Sequence, residues 1–184
     1  MSAVRKLTIA HESWPIAGSF SISRGTKTTA EVVKVTLEQD GAVGVGEAVP
    51  YARYDETIDA TLAALGAARS DIEAGCSRAD VLNVLSVHAA QNALDCALWD
   101  LETKLTGTPV WKLAGLSVEP EPVITAYTLS LDTPEKMAEA AAKASARPLL
   151  KIKLGGGGDD DRLRAIRAAA PKTRLIIDAN EGWK

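Results

Sequence analysis

Two lysines and one aspartate stand within or next to short apolar runs of the chain. Lys151 and Lys153 lie in the run 149–154, and Asp178 directly follows the run 175–177. Apolar runs bounded by proline and glycine are typical of strands that are buried on both faces of a parallel sheet. Side chains two residues apart in a strand point to the same side, about 6.6 Å apart along the strand. Both lysines are therefore expected on one face.

Two ammonium groups at this spacing on an apolar strand indicate a catalytic base. A Lys-x-Lys pair lies more often on a solvated face, but the neighbouring leucines and isoleucine leave this strand no polar face. Like charges about 7 Å apart repel by about 2.4 kcal/mol at an effective dielectric of about 20, which favours the neutral, basic form of one lysine. Asp178 is predicted at the carboxyl end of a parallel strand, where such folds place ligands and metals. A structural N-cap could explain Asp178 alone but not the lysines.

From residue 123 onward, apolar strands alternate with helices. Strands are predicted over residues 123–131, 149–154 and 175–177, and helices over 134–146 and 159–170. This alternation is typical of parallel β/α units. The glycine run 155–158 could suggest a phosphate cradle, but the three aspartates at 159–161 would repel a phosphate. We therefore interpret the run as a loop before a helix.

The first 115 residues show another pattern. Strands predicted over 4–12, 30–38 and 43–49 form an antiparallel meander, with Asp40-Gly41 as the turn between the last two. Helices are predicted over 55–74, after Ser77, over 89–105 and over 109–114. Two segments that carry aromatic side chains, 14–25 and 50–54, are predicted to be loops that either pack on a neighbour or cover a pocket.

Composition and charge restrict the class of partner. The 184 residues are 46% hydrophobic and carry a net charge of −3 without basic clusters, which argues against binding to nucleic acid or to an anionic membrane surface. The expected partner is a small molecule. The chain has no apolar run of about 20 residues and no apolar signal core at its N-terminus, so we expect a cytoplasmic protein.

The order of these elements resembles the enolase superfamily, and within it the muconate-lactonizing subgroup. More narrowly, the chain is similar to the dipeptide epimerases. The motifs that carry the resemblance are Trp14-Pro15, Phe20 through Arg24-Gly25, Gly46-Glu47, Pro50-Tyr51, Arg53-Tyr54, residues 92–101, Thr125-Ala126, Lys151-Ile152-Lys153 and the segment 178–183. Lys-x-Lys identifies only the subgroup, whereas the motif with Arg24 points to the epimerases.

The resemblance implies a fold and a reaction. The fold would be an α+β capping domain over residues 1–115, followed over 116–184 by the first three strands of a (β/α) TIM-type barrel that is incomplete in this chain. The reaction would be epimerisation of a dipeptide of the L-Ala-D/L-Glu type, by lysine-mediated abstraction of an α-proton through a magnesium-stabilised enediolate. Because such barrels take about 250 residues, we expect this chain to be the N-terminal part of the enzyme and to be inactive alone.

The resemblance also implies catalytic and metal-binding residues. Lys153 would remove the α-proton of the C-terminal residue of the dipeptide, and Lys151 would keep it poised. Asp178 is similar to the first of three ligands of Mg²⁺, and Asn180 would support it through a hydrogen bond.

Substrate contacts are implied for three further residues. Arg24 would bind the glutamate side-chain carboxylate, and Tyr51 and Tyr54 would close over the site. A homo-oligomer or a complementing C-terminal half remains open as a macromolecular partner. Two alternatives also remain: another enzyme of the subgroup, such as a cycloisomerase or an o-succinylbenzoate synthase, or an inactive cap that acts as a binding or assembly module.

Overall fold

The chain forms two compact units in a computed structural model that describes residues 5–183. The first unit comprises residues 5–14 and 30–120, and the second comprises residues 15–29 and 121–183. The start of the predicted strand at Val4 lies outside the described residues. The domain boundary expected between residues 115 and 116 stays a prediction.

A three-stranded sheet carries the N-terminal part of the chain. Its strands are β1 (Lys6–Ile22), β2 (Gly25–Gln39) and β3 (Ala42–Ala48), in the order β1-β2-β3. Strands β2 and β3 are antiparallel, with Val33 opposite Ala48. Asp40 and Gly41 have φ angles of 50° and 79°, the backbone of a tight primed hairpin turn. The sequence predicted this turn correctly.

The segment 14–25 is mostly strand, so its prediction as a loop is wrong. β1 continues to Ile22, and β2 begins at Gly25 after a turn at Ser23 and Arg24. Pro15 and the glycine at position 18, whose φ is 83°, weaken the local strand pattern, but pairing between β1 and β2 overrides that weakness. The tip of this pair of strands belongs to the second unit.

Five helices follow in the first unit, with short 3₁₀ turns at Ala52–Tyr54 and Arg78–Asp80. They are α1 (Ile58–Ala67), α2 (Arg69–Glu73), α3 (Val81–Val84), α4 (His88–Thr106) and α5 (Val110–Leu113). The single helix predicted over 55–74 is therefore divided. Asp55 has a left-handed φ of 58°, and the Thr57 side chain accepts a hydrogen bond from the Ala60 N–H, so α1 begins only after this N-cap.

The core of the first unit forms where α4 packs on β3. A Cβ atom on Gly46 would lie 2.2 Å from the carbonyl oxygen of Ala93, and one on Gly44 would lie 2.4 Å from that of Ala97. Only glycine permits this close approach of strand and helix. One face of α4 is buried at Leu94, Ala97, Leu98 and Leu101, whereas Leu105 near its C-terminal end is exposed.

The second unit contains a parallel sheet with the order β4-β5-β6. Its elements are β4 (Tyr127–Leu129), α6 (Pro134–Lys143), β5 (Leu149–Lys153), α7 (Asp159–Ala169) and β6 (Arg174–Asp178). The strand predicted over 123–131 is thus much shorter. Burial on both faces fits β5, but Ile176 and Ile177 of β6 are exposed. That prediction is wrong for β6 because, among the described residues, this strand lies at the edge of the sheet and pairs only with β5.

None of the helices within residues 5–183 is long and apolar enough to span a membrane.

Candidate active site

The candidate site lies where β5 and β6 end side by side. The parallel register places Lys153 opposite Asp178, so side chains from both strand ends meet at one edge of the sheet. The Nζ atoms of Lys151 and Lys153 each lie 2.8 Å from Oδ2 of Asp178. The Lys153 side chain is 7% exposed and that of Lys151 is 35% exposed. Both lysines therefore lie on one face, and Lys153 is the more enclosed.

The Asp178 carboxylate is held in its charged form. Hydrogen bonds from Lys151 and Lys153, together with one from the Asn180 N–H, keep the pKa of Asp178 well below its usual range, although partial burial acts in the opposite direction. Its negative charge opposes the repulsion between the two ammonium groups, a contribution that the spacing of the lysines alone did not reveal. Lys153 Nζ also lies 5.7 Å from the centroid of the Phe20 ring, within reach of a cation–π interaction.

The segment after β6 makes a strained turn around Asp178. The backbone N–H of Asn180 donates a 2.9 Å hydrogen bond to Oδ1 of Asp178; the predicted role of Asn180 in supporting a metal ligand stays a prediction. The side-chain Oδ1 of Asn180 is buried without a hydrogen-bond partner. Asn180 and Glu181 have φ angles of 47° and 64°, a left-handed backbone that non-glycine residues adopt only when their surroundings hold it.

The tip between β1 and β2 contacts this turn. Ser23 Oγ donates a 2.7 Å hydrogen bond to the carbonyl oxygen of Asn180, and Arg24 donates a 3.1 Å hydrogen bond to the same oxygen. The Arg24 guanidinium also lies 3.5 Å from the carboxylate of Glu181. Arg24 is thus close to the segment that follows Asp178. Its predicted role in binding the substrate carboxylate stays a prediction.

The glycine run after β5 encloses a carboxylate of the chain itself. Asp159 accepts hydrogen bonds from the backbone N–H groups of Gly155 and Gly156 and from the indole N–H of Trp183. The sequence argument against a phosphate cradle agrees with this arrangement. However, it missed the role of Asp159, because an acid at a helix start is ordinarily a solvated N-terminal residue.

Tyr51 and Tyr54 belong to the first unit. Their ring centroids lie 5.9 Å apart at an interplanar angle of 56°, and Tyr54 is 67% exposed. The prediction that they close over the substrate stays a prediction.

The oxygen atoms around Asp178 fit part of a magnesium site. Mg²⁺ prefers carboxylate and carbonyl oxygens, and the ionised Asp178 carboxylate and the orphaned Asn180 Oδ1 are groups of that kind. Within residues 5–183 no group of three or more histidine, cysteine, aspartate or glutamate side chains is arranged to hold a metal ion. These residues can therefore supply one carboxylate ligand but not a complete site.

Comparison with known proteins defines the class of this chain. The sequence model of the mandelate racemase / muconate lactonizing enzyme N-terminal domain matches residues 4–115. The chain therefore belongs to that family. Its fold is an N-terminal capping domain with an antiparallel sheet, followed by parallel strands that begin a barrel. The predicted fold class and the resemblance to dipeptide epimerases of the enolase superfamily are both confirmed.

Individual relatives narrow the comparison. L-Ala-D/L-Glu epimerase of Escherichia coli K12 is 40% identical over 184 residues, an alignment that covers 98% of this chain and 57% of the relative. A second similar protein is an enolase family member from Agrobacterium tumefaciens with homology to dipeptide epimerases, whose crystal structure contains bound sodium and L-Ala-L-Glu. Its sequence is 48% identical to that of this chain and the TM-score is 0.91. The match covers 98% of this chain and 55% of that chain.

A third relative carries magnesium. The dipeptide epimerase of Enterococcus faecalis V583, solved with Mg and L-Leu-L-Tyr, is 29% identical with a TM-score of 0.86, and the match covers 98% of this chain and 55% of that chain. The chain spans about half the length of the curated relatives it matches.

Proposed function

We propose that this chain supplies a catalytic lysine pair to a dipeptide epimerase of the L-Ala-D/L-Glu type. One observation carries the proposal: Lys151 and Lys153 converge on Asp178 at the ends of two parallel strands. The 40% identity to L-Ala-D/L-Glu epimerase supports the substrate class. Because the chain spans about half of such relatives, the activity proposed is that of the longer protein that contains it.

Lys153 is the base in this proposal. Its side chain is nearly enclosed, so its amine, once neutral, is shielded from solvent protons and can take the α-proton of a bound dipeptide. Lys151, which is more exposed, adds positive charge beside it and beside the substrate carboxylate. Bound Mg²⁺, held in part by Asp178, would supply the fixed charge that stabilises an enediolate. The Asn180 N–H fixes the orientation of the Asp178 carboxylate.

Substrate recognition is assigned to Arg24, Tyr51 and Tyr54. The guanidinium of Arg24 can form a bidentate pair with a side-chain carboxylate, and the two tyrosines would close over the dipeptide. We further propose that residues 1–115 form the capping domain and 116–184 the first three strands of the barrel. The end of the family match at residue 115 supports that boundary.

Exchange of the substrate α-proton with solvent tests this proposal directly. In D₂O, the full-length protein should introduce deuterium at the α-carbon of both L-Ala-L-Glu and L-Ala-D-Glu, which ¹H NMR detects. Lys153→Ala should abolish exchange for one configuration and spare much of it for the other, because each configuration presents its proton to a different face. The matched control is Lys172→Ala at an exposed position, which should change neither.

Two results would contradict the proposal. Absence of exchange with any dipeptide in the folded, magnesium-loaded wild type would refute epimerase activity and favour another enzyme of the subgroup. Equal loss for both isomers in a folded Lys153→Ala variant with unchanged magnesium affinity would refute the role of Lys153 as the base for one face.

A further inference from the structure

Asp159 differs from the other acids at the start of α7. Asp160 and Asp161 are exposed, as expected for charged side chains in the first turn of a helix. Asp159 is only 8% exposed. A buried carboxylate is costly unless hydrogen bonds replace its lost hydration, so its burial requires an explanation.

Four donors surround this carboxylate. Oδ1 accepts hydrogen bonds from the Gly155 N–H at 3.3 Å and from Arg162 at 3.0 Å. Oδ2 accepts hydrogen bonds from the Gly156 N–H at 2.7 Å and from the indole N–H of Trp183 at 2.8 Å. A carboxylate has about four lone-pair sites, so its accepting capacity is filled. Burial acts to raise the pKa of Asp159, but the hydrogen bonds, led by that of Trp183, outweigh burial and lower it.

Three of the four donors, the N–H groups of Gly155 and Gly156 and the indole of Trp183, come from the two segments that leave the candidate site, whereas Arg162 lies within α7. Gly155 lies two residues after Lys153, at the exit of β5, and Trp183 lies five residues after Asp178, at the exit of β6. The segments also touch directly, since a Cβ atom on Gly182 would lie 2.9 Å from the Cα atom of Gly155. Because two glycines meet here, no side chain separates the two backbones. The Asp159 carboxylate therefore joins, through its hydrogen bonds, two segments whose backbones are already in contact.

The turn after Asp178 depends on contacts that hold its backbone conformation. Its two left-handed residues, Asn180 and Glu181, have a backbone that residues with a side chain adopt infrequently and that the surroundings must hold. At the C-terminal end of this turn, the Trp183 indole donates its hydrogen bond to Asp159. At the other end, the Asn180 N–H donates a hydrogen bond to the carboxylate of Asp178.

We propose that Asp159 is a positioning residue for the reaction: by joining the β5 exit to Trp183, it sets the placement of Lys153 relative to Asp178. This inference rests on the proposed function for its effect on catalysis. Asp159 contacts neither Lys153 nor Asp178 in the hydrogen bonds that hold it, and acts through the main chain of the two segments. A misplacement of about 1 Å in an active site can cost about 100-fold in rate.

The test uses three single variants of the full-length protein, together with the Asp159→Asn/Trp183→Phe double variant. Asp159→Asn keeps the shape of the side chain but replaces one acceptor with a donor that faces other donors. Trp183→Phe keeps an aromatic ring, smaller than the indole, but removes the indole N–H. Asp160→Asn is the matched control, because it changes the same type of side chain one residue away at an exposed position.

We expect Asp159→Asn to lower kcat for L-Ala-L-Glu by about 10- to 100-fold with little change in KM. Trp183→Phe should lower kcat less, and should add little in the Asp159→Asn background, because both changes break the same link. A purely structural role would instead give losses of kcat that follow the loss of thermal stability in each variant. Asp160→Asn should leave kcat unchanged.

A second measurement does not depend on activity. The Leu154 N–H donates a 3.1 Å hydrogen bond to the Asp178 carbonyl oxygen and therefore reports the junction of β5 and β6. Asp159→Asn and Trp183→Phe should each reduce the protection of this amide from hydrogen exchange, whereas Asp160→Asn should not. If the wild type shows no epimerase activity, the proposed function fails, and this exchange measurement still decides whether Asp159 fixes the junction.

Unchanged Leu154 protection in both folded variants would overturn the proposal, as would unchanged kcat in both when the wild type is active. If Asp159→Asn does not fold, the same two readouts on Trp183→Phe decide the question.

Discussion

Replacement of Arg24 by methionine should change the substrate preference of the full-length protein. A charge-assisted hydrogen bond to a substrate carboxylate contributes about 1.5–3 kcal/mol. In the structure, the Arg24 guanidinium already lies 3.5 Å from the Glu181 carboxylate, and the two side chains are 35% and 59% exposed. An incoming glutamate side chain would therefore displace an ion pair that exists before binding.

The displaced pair reduces the net gain only slightly. Exposed ion pairs contribute about 0.2–1 kcal/mol because water and salt screen them. Subtracting about 0.5 kcal/mol for the displaced pair leaves a net contribution of Arg24 to binding of an acidic dipeptide of about 1–2.5 kcal/mol, or about 5- to 70-fold in discrimination. Arg24→Met should lower kcat/KM for L-Ala-L-Glu by this factor and leave kcat/KM for L-Ala-L-Leu nearly unchanged or improved.

The assay is measurement of kcat/KM for both dipeptides with wild type, Arg24→Met and Glu181→Gln. Glu181→Gln removes the competing carboxylate and should hold or slightly raise the activity with L-Ala-L-Glu. If Arg24 were an ordinary surface residue, its loss would change the free energy that corresponds to kcat/KM by no more than about 0.5 kcal/mol, and by the same amount for all dipeptides. An unchanged ratio between the acidic and the apolar dipeptide in Arg24→Met would refute this reasoning.

Two further predictions concern stability and association. Because the folded-state pKa of Asp178 is depressed, its contribution to stability should be present above its unfolded pKa of about 3.9 and be lost as the pH falls through the lower folded value. Asp178→Asn should thus lower the thermal midpoint at pH 7 by more than at strongly acidic pH, and parallel curves of midpoint against pH for the two proteins would contradict this. The 184-residue chain expressed by itself should be inactive and should self-associate, because β6 exposes Ile176 and Ile177 at a sheet edge. Light scattering coupled to size-exclusion chromatography measures the molar mass and so detects self-association. A monodisperse, active monomer would contradict this prediction.

Local patterns in the sequence predicted many elements correctly. α6 begins at Pro134, the first residue of the helix predicted over 134–146, with Thr133 as its N-cap, and Gly107 ends α4 in a left-handed conformation. Caps and turns depend on neighbouring residues, so they can be read from the sequence. The segment 14–22 shows the limit of this reading, because Pro15 and Gly18 suggest a loop until β2 pairs with it. The helix predicted over 55–74 begins late, since hydrophobic spacing does not reveal the left-handed backbone at Asp55, and it is divided into α1 and α2 at Ala68.

The sequence by itself determined that Lys151 and Lys153 share one face, because side chains alternate along any strand. It also determined the family, through motifs spread along the chain. Only the tertiary structure decided that both lysines meet the Asp178 carboxylate at 2.8 Å, because the register between β5 and β6 depends on packing between residues distant in sequence. The burial of Asp159 was decided in the same way. The donors to Asp159 lie both before and after it in the sequence, and the most distant, Trp183, is 24 residues away. No local pattern distinguishes Asp159 from the exposed aspartate that follows it.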